Sequence, residues 1–159
     1  MRLKLSEAII INASAEPIFD LTQDYNQRLV WDTFLKKAEL IGAKEAGVGI
    51  KAWCVSKHGL GMETEYISFN RPKVTAIKQT KKSLLFSRFS GSWVFEQVTT
   101  KSTKVVFTYS YSLNFPFNLT SKFVSNILIK NVRERLKDLK LCIETNNIPP
   151  TNDIAYASK

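Results

Sequence analysis

Polar and apolar residues alternate from Leu3 into the β-branched run Ile9-Ile10-Ile11, so the chain opens on a strand spanning 3–11. Helix-start chemistry follows at once. Ser14 is a good N-cap, Glu16 suits the positive end of a helix, and Pro17 is tolerated in a first turn because its missing N–H has no intrahelical duty there. A short helix is therefore predicted over 15–22, with Ile18, Phe19 and Leu21 as its apolar contacts, and a second one capped by Asp24 and running to about Trp31. Strand spacing then takes over, over 38–43, 48–57, 62–69, 74–79, 84–97 and 103–113. The breaks fall at Lys44–Gly47, His58–Gly61, Asn70-Arg71-Pro72, Lys81-Lys82-Ser83 and Thr99–Ser102, and Gly91 reads as a bulge or bend inside the long sixth strand. Turns this short imply an antiparallel meander. From Asn118 to about Thr145 no Gly or Pro interrupts an apolar pattern of helical spacing. One long helix cannot bury its apolar face alone, so it must lie against the sheet.

Side-chain parity places the candidate interior. On the last strand Val105, Phe107, Tyr109, Tyr111 and Leu113 share a face, and Leu85, Phe89, Trp93 and Phe95 share one on the strand before it. Arg88 has the opposite parity, with Phe86 and Ser90, and is expected to face solvent. Tyr109, Tyr111 and, on an earlier strand, Tyr66 stand out because a buried phenol needs a hydrogen-bond partner, which a ligand could supply. On the helix, Val124, Leu128, Val132, Leu139 and Cys142 form one face, Leu136 and Ile143 lie at its edge, Asn131 at its border, and Arg135 falls inside it. A guanidinium among apolar neighbours must find a partner or reach water. Two readings stay open for Arg135: it snorkels to solvent, or it is a pocket cation that fixes a carboxylate or phenolate on an apolar ligand.

The order strand, two short helices, six strands, long helix gives an α+β class. The segment Ile11-Asn12-Ala13-Ser14-Ala15-Glu16-Pro17-Ile18-Phe19-Asp20-Leu21, then Asp24-Tyr25 and Trp31, resembles the opening of the START-related polyketide cyclase/dehydrase and lipid-transport (SRPBCC) superfamily. Gly91-Ser92-Trp93-Val94-Phe95 with Ser102-Thr103-Lys104-Val105 is similar to its penultimate hairpin, and Leu136–Lys140 with Glu144 to its closing helix. The resemblance implies a helix-grip fold, in which a curved antiparallel sheet of about seven strands wraps a long C-terminal helix. The resemblance covers roughly residues 3–146, so one domain is expected over 1–146, and the Pro-containing polar stretch 147–159 is expected to be a disordered or loosely attached tail. A cavity between sheet and helix is the expected site, with Tyr66, Phe89, Trp93, Phe95, Phe107, Tyr109, Tyr111, Val124, Leu128, Asn131 and Arg135 as ligand-binding candidates.

Composition narrows the function. The chain has 159 residues, 44% apolar and 23% charged, ordinary values for one globular domain. Its charged, alternating start is not a secretory signal and no apolar run suits a membrane span, so a cytoplasmic protein is expected. Net charge is +9, carried as +2 by residues 1–80 and +7 by residues 81–159. No run of Lys or Arg points to nucleic acid, while peripheral membrane contact stays open. Cys54 and Cys142 have no metal or redox spacing and read as small apolar residues. His58 is the single histidine and sits beside a glycine turn, Glu63 and Glu65 read as a solvated strand face, and Gly59-x-Gly61 is a turn and no phosphate loop. No catalytic residue, metal or cofactor is therefore assigned. The expected function is binding of a small apolar ligand, with or without an acidic group, by a monomer or homodimer. The alternatives are a cyclase or dehydratase working in the same cavity through Tyr109, Tyr111 and Arg135, and a protein- or membrane-surface module.

Overall fold

The alternation that marks the first and last strands also pairs them. In the computed structural model, which describes residues 1–145, β1 (Leu3–Ile11) and β7 (Ser102–Leu113) run antiparallel with Leu3 opposite Tyr111 and Ile11 opposite Thr103. Between them lie β2 (Leu35–Ile41), β3 (Lys51–Ser56), β4 (Gly61–Asn70), β5 (Val74–Gln79) and β6 (Phe86–Thr99). All neighbours are antiparallel, and the sheet order is β1-β7-β6-β5-β4-β3-β2. The chain thus builds a meander from β2 to β7 and closes it by laying β1 on the far side of β7. The long helix α3 (Ser121–Glu144) packs against β1 and β7. This is the helix-grip arrangement.

The short helices differ from expectation at their ends. α1 (Ala15–Gln23) begins after Ser14, whose side chain makes no cap bond. The free N–H of Ala15 instead donates to Gln97 Oε1 on β6 at 2.8 Å, so the sheet caps the helix. α2 (Arg28–Trp31) is a single turn and starts later than Asp24, whose Oδ1 accepts from the Asn26 N–H at 2.9 Å in a local turn. Residues Phe117–Thr120 form a 3-10 turn, so α3 itself starts three residues later than the sequence pattern suggests. Asn146 and the tail at 147–159 lie outside the described residues.

Gly91 makes no bulge. The irregularities of β6 fall between Phe86 and Arg88 and between Gln97 and Thr99, while Gly91 pairs regularly with Ile77 and Tyr109. The extra residue at Ser87 changes the parity read from sequence. It turns Phe86 inward together with Phe89, their ring centroids 5.0 Å apart, and leaves Arg88 exposed. The core fills the curve of the sheet under α3, where Val132, Leu136 and Leu139 meet β-strand residues such as Ile11 and Val105.

Candidate ligand-binding cavity

The inner face of the sheet does not close completely on α3. A cavity of about 310 Å³ remains, near the lower end of ordinary small-molecule sites. Gly91 stands in its wall at the centre of β6, where a Cβ would meet the Tyr109 ring at 3.4 Å and Ile77 at 3.6 Å. Trp93, Phe107 and Tyr109 pack on one another beside it, with Trp93 and Phe107 stacked at 4.1 Å. Val124, Leu128 and Asn131 form the helix side, and Ile127, His58 and Leu60 are exposed lining residues at the rim. Among the described residues the lining contains no Asp or Glu.

Of the residues singled out from sequence, Tyr66, Phe89, Trp93, Phe107, Tyr109, Val124, Leu128, Asn131 and Arg135 line this space. Phe95 and Tyr111 do not. Phe95 lies against Phe19 of α1, at 5.3 Å, and Tyr111 shares a hydrogen bond with Ser125 Oγ at 2.7 Å while packing on Phe86. Tyr66 has its partner within the chain, donating to Gln23 Oε1 at 2.7 Å.

Arg135 does not snorkel. It is 4% exposed, and its carboxylate partner comes from the chain itself. Arg135 donates from Nε at 3.1 Å and from Nη2 at 2.8 Å to Oδ2 of Asp32, and from Nη1 to the Tyr109 hydroxyl at 2.5 Å. Asp32 ends α2 and is fully buried. One helical turn before it, Arg28 donates from Nε to the same Oδ2 at 2.9 Å and from Nη1 to the Thr22 carbonyl at 2.7 Å. Aromatic faces cover both guanidiniums: Arg28 lies 5.0 Å from the Trp31 ring, and Arg135 lies 4.9 Å from Phe107 and 5.2 Å from Phe34.

Two buried guanidiniums thus share one carboxylate. Burial alone would raise the Asp32 carboxyl pKa, but the charges of Arg135 and Arg28 hold it below its ordinary value. Burial raises the phenols of Tyr25, Tyr66 and Tyr109 and the thiol of Cys54, so these neighbours stay neutral near neutral pH. None of them cancels the extra positive charge. Nη2 of Arg28 has no hydrogen-bond partner among the described residues.

Sequence reasoning found Arg135 but missed Arg28, Asp32, Gln23, Tyr25 and Phe34. A usable signal existed: Arg28 and Asp32 stand four apart, the spacing of an ion pair on one helical face, on either side of Trp31. Among the described residues no group of three or more His, Cys, Asp or Glu could hold a metal.

Residues 2–144 match the sequence model of the family described as polyketide cyclase / dehydrase and lipid transport. The chain belongs to this family. No curated protein matches it in sequence. Solved structures share the fold of this family member. Zhui aromatase/cyclase from Streptomyces sp. R1128 superposes with a TM-score of 0.79 at 13% identity, covering 92% of this chain and 96% of that one. TTHA0849 from Thermus thermophilus gives 0.77 at 20% identity, covering 91% and 99%. A norcoclaurine synthase mutant from Thalictrum flavum gives 0.70 at 12% identity, covering 92% and 97%. At these identities the likeness is one of fold, and the chemistry of this family member must be read from its own cavity.

Proposed function

We propose that the cavity binds one small, mostly apolar molecule that carries an anionic or strongly electron-rich oxygen, seated at the Arg28–Arg135 end. The observation that carries this reading is the two-to-one ratio of buried guanidinium to carboxylate in a cavity otherwise lined by aromatic and aliphatic side chains. An unbalanced charge in a low-dielectric site is costly, and a ligand anion offsets it. The aromatic walls supply the apolar contact, and the charge sets orientation. Affinity is expected to fall in the order carboxylate, methyl ester, hydrocarbon for one ligand skeleton.

Thermal-shift and native-mass measurements on matched fatty or aryl acids, their esters and their parent hydrocarbons test this. Arg135→Met is expected to remove the preference for the acid while leaving binding of the ester. An equal shift for acid and hydrocarbon, or no shift for any member of the series, overturns the reading.

The same groups fit a second reading, ring closure or dehydration of a polyketide-like substrate, which the family description and the aromatase/cyclase neighbour favour. Arg135 and the Tyr109 hydroxyl it contacts would polarise a substrate carbonyl. Product analysis with a poly-β-keto thioester mimic separates this from simple binding, since Tyr109→Phe should then lose turnover without losing affinity.

A further inference from the structure

A second feature lies outside the cavity. Leu84 and Phe115 are both 78% exposed. Their backbone segments are tied together, because Asn114 donates from its side chain to the carbonyls of Ser83 and Leu84 at 2.8 and 3.1 Å and from its N–H to Leu85 O at 3.0 Å. Leu119 follows in the 3-10 turn, then Phe123 on the first turn of α3, 66% exposed, and Ile127 one turn later, 42% exposed. Ile127 also lines the cavity, as does Leu85 next to Leu84. The exposed apolar surface therefore runs into the cavity rim. A globular protein seldom leaves so many large apolar side chains together in water without a use.

The segment that builds this lobe is strongly cationic. Residues 81–133 contain eight Lys or Arg and a single acid, Glu96, which pairs with Lys104 at 3.4 Å. Glu96 is ten residues along β6 from Phe86, roughly 33 Å away along the strand at ~3.3 Å per residue. Near the lobe, Lys82, Arg88, Lys122 and Lys130 form no ion pair among the described residues, and Lys81 is held by Glu63 at 2.8 Å. Lys82 and Arg88 also border a hollow of about 380 Å³ with Arg2, Ser87 and Ser112, a polar and cationic recess on the flank of the lobe.

We propose that this face docks on an anionic lipid bilayer. Leu84, Phe115, Leu119 and Phe123 enter the interfacial layer, and Lys82, Arg88, Lys122 and Lys130 meet the headgroups. The mouth of the cavity then opens against the lipid, so an apolar ligand passes between bilayer and protein without crossing water. This builds on the ligand-binding reading above. Self-association would set two cationic faces against each other, which like-charge repulsion opposes, whereas an anionic surface complements both the charge and the apolar side chains.

Flotation with vesicles of phosphatidylcholine alone, and of phosphatidylcholine with phosphatidylglycerol, tests the docking. Binding is expected with the anionic vesicles, weakened by salt. Removing charge in Lys82→Gln or Lys122→Gln should each lower the partition coefficient about fivefold, from the usual worth of a juxtamembrane lysine. The double variant Phe115→Ser, Phe123→Ser should abolish flotation while keeping the wild-type melting temperature and ligand-induced thermal shift in vesicle-free buffer. No flotation of the wild-type protein, equal flotation of that double variant, or a sedimenting dimer that the double variant dissolves overturns the docking. Flotation without any ligand shift upholds the docking and removes the cavity reading. A ligand shift without flotation does the reverse.

Discussion

Asp32→Asn is the most informative single change in this protein. The carboxylate accepts three guanidinium hydrogen bonds on one oxygen, from Arg28 Nε and from Arg135 Nε and Nη2, in a site with no exposure to water. The amide keeps the size of the side chain but removes the charge, leaving two buried cations with no counter-charge. Breaking a buried pair in this way costs about 3–5 kcal/mol. For a domain of this length each kcal/mol moves Tm by about 2–4 °C, so a fall on the order of 10 °C is expected. Arg135→Met should cost less than Asp32→Asn, because Asp32 then keeps Arg28 as its partner and the site becomes neutral. Thermal melts by circular dichroism rank the variants. The reasoning fails if Asp32→Asn melts within a degree or two of wild type, or if Arg135→Met is the less stable of the two. The same group fixes a pH dependence. Its folded pKa lies below the ordinary 3.8, so its contribution is complete above about pH 4 and is lost as pH falls through the lower folded value. Asp32→Asn should lack that part of the acid limb.

Three further changes probe the walls. Gly91→Val should fill the cavity against Tyr109 and Ile77, leave the far-ultraviolet spectrum unchanged, and abolish the ligand-induced thermal shift. Gly61→Ala should destabilise by about 1–3 kcal/mol, because its methyl would sit 2.5 Å from the Trp53 ring and that indole must move, measured by urea unfolding. Tyr66→Phe leaves Gln23 Oε1 without its buried donor and should cost about 1–3 kcal/mol in the same assay.

The fold was largely legible because strand and helix periods differ and because Gly, Pro and polar clusters mark the turns of the meander. β5, for example, has the limits the sequence suggests, Val74–Gln79. Parity on β6 was legible only up to its bulge, since an extra residue at Ser87 is not encoded by a glycine or proline, and Phe86 was therefore assigned to the wrong face. Arg135 was visible as a charge on an apolar helix face. Its partner was not, because Asp32 is 103 residues away and caps a one-turn helix too short to show periodicity. Tyr111 and Phe95 share the parity of true lining residues, yet other rings and a serine fill the space in front of them. Parity reports which side of a sheet a residue occupies, not how much of that side is empty.

Several contacts join early and late segments of the chain. β1 pairs with β7, Asp32 meets Arg135, Thr33 Oγ1 donates to Asp138 at 2.5 Å, and the Asn12 N–H donates to Glu144 Oε1 across 132 residues. During synthesis, then, β1 waits for β7 and Asp32 waits for Arg135, whereas α1 finds earlier partners in Tyr66 and Gln97. At about 5–20 residues per second, the hundred residues between Asp32 and Arg135 take roughly 5–20 s to appear. Throughout that interval Asp32 lacks its second guanidinium and has only Arg28 as a cationic partner. Helix α3 is thus a wall of the cavity and also the element that completes the ion cluster begun at α2.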